Sequence, residues 1–273
     1  MSLQTFPLDV LQKVSLHIRS QLVIPASERQ PPANSFGAAA DDFPEPHSLD
    51  TLGDLFRVGG FAEDSLPAPN AEGRWFISTL DPAAALGKLP GLELKPGVRL
   101  VTYLQCRPEG SLGVTWALPD LMSTTAYLEA ALESAGNGQI PPHPRGALGH
   151  VMDGIRGNHS PASFIAASLL IRELKELGRT GRLRRWHHHR LIGSEPTQYL
   201  WQWRSKPPKD WSAKVKVLED QSVFVEFFSC RVAPPIALFR HLDRYSPQSY
   251  RPQSTDQVIA VLETGTATLP STG

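Results

Sequence analysis

The run Arg184-Arg185-Trp186-His187-His188-His189-Arg190 holds the densest chemistry in this sequence. Read as part of a strand from about Leu183 to Ile192, its side chains alternate, so His187 and His189 share one face and His188 takes the other. Two imidazoles spaced this way stand about 6–7 Å apart at their bases and can share one divalent cation. A third ligand is then needed, and His150, Asp153, His159 and Glu226 are the candidates, none fixed by spacing. Arg185 and Arg190 oppose an added dication by like-charge repulsion. The expectation is therefore no cofactor, with a divalent metal on His187 and His189 as the alternative.

The same stretch also reads as a recognition surface. Four of the six tryptophans, Trp186, Trp201, Trp203 and Trp211, fall near Arg182, Arg184, Arg185, Arg190 and Arg204. Aromatic faces interleaved with cations suit the bases and phosphates of single-stranded RNA. Tyr199, Trp201 and Trp203 share a strand face and are expected in the core against a following-pattern helix at 160–177. Trp186, lying among charges, is expected to be exposed. Arg182, Arg184, Arg185, Trp186, His188 and Arg190 are thus the expected partner-binding residues.

Other constellations carry less. His143, His150, Asp153 and His159 cluster in sequence, with His150 and Asp153 three apart as on one helix face, but their spacing matches no metal or acid–base motif. G-x-x-G recurs at four places, and no G-x-S-x-G, G-x-x-x-x-G-K-[ST] or G-x-G-x-x-G occurs. Cys230 follows Phe227-Phe228 and is expected to be buried and inert. Cys106, beside Arg107 at a turn, is the more reactive thiol by this reading.

The elements that must position these residues follow from periodicity. Leu11, Val14, Ile18 and Leu22 form one stripe of a helix near 7–22, begun by Pro7. Prolines from Pro25 to Pro69 break up any regular pattern there, leaving a proline-rich linker at 25–72 with one short helix near 49–58. Trp75–Leu80 reads as a short strand. Val98–Cys106 and Ser111–Leu118 alternate around Arg107-Pro108-Glu109-Gly110, which is turn chemistry for an antiparallel hairpin over 98–118. A helix over 120–135 has Asp120 or Ser123 as its cap and Gly136 as its stop, and a short helical piece covers 148–153.

Ser160, Pro161 and Gly178 delimit the clearest helix, 160–177. Phe164, Ala167, Ile171 and Leu174 are its buried stripe, and Arg172, Glu173, Lys175 and Glu176 its exposed flanks. A four-stranded meander is expected over 183–232, with strands at 183–192, 197–204, 213–218 and 222–232. Helices and antiparallel strands in separate blocks give an α+β fold. The expected organisation is an N-terminal helix (1–24), the linker (25–72), α+β units at 73–140 and 141–250 (or one domain over 73–250), and a disordered tail at 264–273.

Composition bounds the rest. The 273 residues balance 27 Lys+Arg against 27 Asp+Glu. That charge is uneven: residues 1–150 carry a net −6, 151–215 a net +7 and 216–273 a net −1. The basic middle either meets a polyanion or is neutralised by the acidic first part. No run of ~20 apolar residues exists to span a membrane, and the first residues lack a secretory-signal pattern. Two cysteines form no disulfide framework. The expectation is a soluble cytoplasmic binding or assembly protein, without catalytic activity, that recognises a protein or RNA partner. A metal-dependent enzyme and a regulatory domain holding a small anion on Arg184, Arg185 and Arg190 are the alternatives.

Overall fold

The computed structural model describes residues 1–29, 72–136, 138 and 140–262. The expected short helix at 49–58, most of the 25–72 segment and the 264–273 tail lie outside the described residues. Helices and antiparallel sheets pack against one another in an α+β architecture. Among the described residues, no helix is long and apolar enough to cross a membrane.

The chain opens with strand β1 (Ser2–Phe6), which carries no apolar alternation and buries only Phe6. Pro7, in extended backbone, then starts helix α1 (Leu8–Gln21). Its stripe is as expected: Leu11 and Ile18 are buried, with Val14 and Leu22 packed beside them. Strand β2 (Trp75–Ile77) precedes the short strand β3 (Leu92–Leu94) and the hairpin of β4 (Val98–Arg107) and β5 (Gly110–Pro119). The hairpin register runs from Val98 opposite Pro119 to Arg107 opposite Gly110, as the turn chemistry requires. Strand β2 pairs with β4 to complete a three-stranded sheet.

The expected 120–135 helix is split. A 3-10 turn at Asp120–Met122 is followed by helix α2 (Thr125–Ser134). Ser123 donates its hydroxyl to the Asp120 carbonyl, so neither expected residue caps the helix, and Thr124 occupies the cap position without a side-chain bond. The expected units 73–140 and 141–250 are joined directly, because β3 pairs with β6 (Ile155–Gly157).

Helix α3 (Pro161–Glu176) is delimited as the sequence predicts. Ser160 Oγ accepts from the Ser163 amide, Pro161 takes the first position, and Gly178 leaves the helix at φ +80°. A side chain at Gly178 would also meet the Gly113 amide of the hairpin at 2.8 Å. What differs is its burial. Arg172, Glu173 and Glu176 are buried, and of the four expected exposed residues only Lys175 is. The reason is position: α3 is covered by α1, by the β4–β5 hairpin and by the large sheet, so it has almost no wet side.

That large sheet has seven strands: β1, β7 (His189–Ile192), β8 (Trp201–Trp203), β9 (Ala213–Val217), β10 (Val223–Arg231), β11 (Ala237–Tyr245) and β12 (Pro252–Leu262). Its order is β1-β9-β10-β11-β12-β8, with β7 also pairing β10. The four strands expected over 183–232 exist but do not form a meander. Strand β7 pairs β10, β8 pairs β12, and β9 lies between β1 and β10. The partners the meander lacks are the two long strands β11 and β12, which lie between β10 and β8. Along β10, Val223, Val225 and Phe227 pack in the core that holds α3, while Phe228 and Cys230 join a second cluster on the opposite face.

Candidate functional site

Strands β10, β11 and β12 place a chain of polar side chains under the C-terminal half of α3. Arg172 projects from α3 onto Asp243 of β11, with Nη1 donating to Oδ2 at 2.6 Å and Nη2 to Oδ1 at 3.0 Å. Its Nη2 also donates to Asp256 Oδ1 of β12 at 2.9 Å. Burial works against the guanidinium charge, but Asp243 and Asp256 outweigh it and hold the group protonated well above its ordinary range. The guanidinium also lies over the rings of Phe227 and Trp186, at 4.9 and 5.7 Å.

From Asp256 the chain runs inward. Asp256 Oδ1 lies 2.7 Å from His241 Nδ1, His241 Nε2 lies 2.7 Å from Ser229 Oγ, and Ser229 Oγ lies 2.8 Å from His189 Nδ1. Burial opposes ionisation of Asp256, yet the His241 bond and Arg172 keep its carboxyl well below the usual range. Burial holds His241 below its ordinary value despite Asp256. Burial, together with His241 and Arg231, depresses His189 to about 3. Trp186 stacks on His189 with ring centres 5.2 Å apart, and Phe227 stacks on His241 at 4.8 Å.

An acid, an imidazole and a hydroxyl in hydrogen-bonded series are the parts of a nucleophilic serine site. Ser229, however, is fully buried and its hydroxyl is bonded to a second imidazole. The parts of this chain that reach open space are Asp256, at one end, and half-buried His189, at the other.

A cavity of about 730 Å³ lies beside it, between the end of α3, the 179–189 segment and the β10–β11 turn. Seven cations line it against two carboxylates, Glu176 and Asp256. Arg172, Lys175 and Arg179 come from α3 and the residues just after it, Arg182, Arg184 and Arg185 from the following segment, and Arg231 from β10. Asp256 is already bonded to Arg172 and His241, and Glu176 Oε1 accepts from the backbone amides of Arg185 and His187. Nε of Arg172 and Nε of Arg179 are buried without a hydrogen-bond partner. The segment carrying the arginines is pinned to the hairpin tip. The Ser111 amide donates to Thr180 Oγ1 at 2.7 Å, the Thr180 amide to the Ser111 carbonyl at 3.0 Å, and the Arg182 amide to the Glu109 carbonyl at 3.0 Å.

The structure therefore gathers most of the expected site, in a different form. Residues 186–188 make a 3-10 turn, so strand alternation begins only at His189. Arg182, Arg184 and Arg185 are exposed on the cavity rim, and His188 and His189 line its wall. Trp186 is a correction: it is 8% exposed, and its Nε1 donates to Glu173 Oε1 at 2.9 Å. That carboxylate, pushed up by burial, also accepts from Ser15 and Arg19, which is why an indole among charges turns inward.

Arg190 faces a separate cavity with Arg19, and exposed His187 lines a third with Glu173 and Arg29. Trp201 and Trp203 pack with Phe228 and Leu238, on the sheet face away from α3. Cys106, expected to be the reactive thiol, is 1% exposed.

The proposed metal ligands are not brought together. Among the described residues, no group of three or more His, Cys, Asp or Glu is placed to hold a metal ion. Of the candidate third ligands, His150 Nδ1 accepts from the Met152 amide, Asp153 pairs with Arg251, Glu226 with Arg240, and His159 stacks on Tyr250. His143 packs edge-on to Trp116.

Ser229, His241, Asp243 and Asp256 escaped the sequence reading. They lie on three successive strands, and a signal existed in the alternation of Phe239, His241, Asp243 and Tyr245 against Leu238, Arg240, Leu242 and Arg244. Both sets mix polar and apolar residues, so hydrophobic periodicity does not pick out either face. Comparison with protein-family models, with curated proteins and with solved structures finds no match to this chain.

Proposed function

We propose that this protein is a binding protein whose basic cavity takes a small phosphate-bearing or similar anionic ligand. The observation that carries this reading is the ratio of seven lining cations to two carboxylates, both of which are already hydrogen-bonded elsewhere. Guanidinium groups suit oxyanions because their planar forks donate two parallel hydrogen bonds. The volume lies within the range of small-molecule sites. The chain has no net charge, so attraction is local rather than long-range.

This reading keeps the Arg182, Arg184 and Arg185 surface but gives it a concave, compact ligand. A single-stranded RNA platform is less well supported, because Trp186 is buried, stacks on His189, lies under the Arg172 guanidinium and has its N–H bonded inside the protein. Both cysteines are free, which fits a reducing compartment, and the cytoplasm is the location we assign.

The test is thermal unfolding and calorimetry with inorganic phosphate or sulfate against chloride at equal ionic strength. Saturable binding of either oxyanion, abolished in the Arg182→Gln, Arg184→Gln, Arg185→Gln triple variant, supports the proposal. A response identical to chloride sinks it, and tight binding of oligoribonucleotide without response to either ion reassigns the cavity to RNA.

A further inference from the structure

The hydrogen-bond chain beneath the cavity has a direction, and the direction is set at its far end. Asp256 Oδ1 accepts from Arg172 Nη2, so this oxygen belongs to a carboxylate that can only accept. His241 Nδ1, 2.7 Å away, must therefore carry the proton. In a neutral His241 the other nitrogen, Nε2, is then a bare lone pair, and Ser229 donates its one hydroxyl proton to it at 2.7 Å. Ser229 Oγ is left only as an acceptor toward His189, so His189 Nδ1 is the donor of the 2.8 Å contact. With His189 also neutral, its Nε2 is unprotonated. That nitrogen has no partner among the described residues, and the ring lines the cavity.

The groups around the two imidazoles agree with this order. His189 is faced by Trp186, Phe239, Ser229 and His241, with Arg231 close enough to disfavour its charge. His241 is faced by Phe227, Trp186, Ser229 and Asp256, and Arg172 stands beside them. None of the neighbouring side chains offers His189 a carboxylate at hydrogen-bond distance.

We infer that His189 sets a neutral hydrogen-bond acceptor in the cavity wall, beside the seven cations and the two carboxylates already bonded elsewhere, so the ligand is an oxyanion that brings its own proton, of the monohydrogen-phosphate class rather than the sulfate class. An arginine-lined cavity alone would accept both, because the two dianions have the same shape and charge. They differ in one O–H group. Phosphate donates it to Nε2, whereas sulfate sets an oxygen lone pair against a nitrogen lone pair. An anionic ligand with a hydroxyl beside its charged group satisfies the same acceptor. This inference rests on the proposed anion site and adds to it the role of a neutral imidazole in its wall.

The experiment compares phosphate and sulfate by calorimetry at a pH of about 8, where both are mainly dianions and the imidazoles are neutral. Phosphate is expected to bind about tenfold tighter or more, the discrimination one hydrogen bond to a charged partner provides. Ser229→Ala removes the acceptor that fixes the His189 proton, and the phosphate-to-sulfate ratio is expected to fall toward one while phosphate still binds. A variant that lost structure would not produce that selective change. Nitrogen-15 NMR of histidine in the unaltered protein adds an independent reading: Nδ1 of His189 protonated and Nε2 not. Equal affinities, or a protonated Nε2, overturn the inference while leaving the anion site standing. No binding of either ion removes the site and this inference with it.

Discussion

Arg172 and Asp243 form a two-pronged ion pair at 2.6 and 3.0 Å, with the Asp243 side chain fully buried and that of Arg172 7% exposed. The pair joins the central helix to the large sheet at the point where the fold's core gives way to the polar chain. A buried pair of this kind adds little over apolar residues of the same shape, but halving it strands a charge. Arg172→Met is expected to destabilise the protein by about 3–5 kcal/mol, read from urea denaturation. Arg172→Met with Asp243→Leu is expected to recover much of that loss. A single variant as stable as the parent would contradict the pairing.

Acid should weaken the fold through its buried histidines. Unfolded His189 binds a proton near 6.5, whereas the folded ring does so only near about 3, because burial, His241 and Arg231 oppose it. Between those values the unfolded chain holds more protons, so stability rises with pH and is lost as pH falls below 6.5. The full displacement corresponds to an effect on the order of 4 kcal/mol, lessened by solvent at the ring's outer edge. His150, His187 and His241 are shifted in the same direction, and Glu173, raised by burial, works the other way above its ordinary value of 4.5. Melting temperature measured from about pH 7 to 4 should fall steadily. His189→Gln should flatten the profile, and an unchanged slope would place the acid sensitivity elsewhere.

Arg184 and Arg185 are exposed and have no side-chain partner among the described residues. Replacing both with alanine should change stability by no more than about 0.5 kcal/mol. Phosphate affinity should fall several-fold in the same variant. Unfolding of the double variant would make these arginines structural counterweights to the acidic first part of the chain.

Trp186 allows a finer separation. Trp186→Phe keeps an aromatic face against His189 but removes the N–H that reaches Glu173 at 2.9 Å. The expected cost is about 1.5–3 kcal/mol, the range for a hydrogen bond to a charged group. Trp186→Ala, which empties the site, should cost about 3–5 kcal/mol. Equal effects in chemical denaturation would mean that packing alone holds this residue.

Much of this architecture was legible because its signals are local. Pro7, Ser160, Pro161 and Gly178 mark helix ends through backbone chemistry, and the 98–118 hairpin announces itself by alternation around a turn. The arginine-rich segment was found for a similar reason, since charge density survives without knowledge of the fold. Arg172, Glu173 and Glu176 were misplaced because their burial depends on what covers α3, and helical periodicity reports only which face is apolar. Trp186 turned inward for the same reason, drawn by a carboxylate 13 positions earlier. Ser229, His241 and Asp256 meet only because β10, β11 and β12 are neighbours, and strand order is not a property of any one segment.

The stretch between α3 and β7 holds only two short 3-10 turns, Gly181–Leu183 and Trp186–His188, yet both ends are fastened: one to the hairpin tip through Thr180 and Arg182, the other to the end of β10 and to Val232 just after it through His189 and His188. A bridge moored on both banks cannot swing. Accommodation of a guest must then come from rotation of long arginine side chains over a fixed track, so guests of different size should leave the amide exchange of Thr180, Arg182 and His188 alike while changing which guanidinium groups are immobilised.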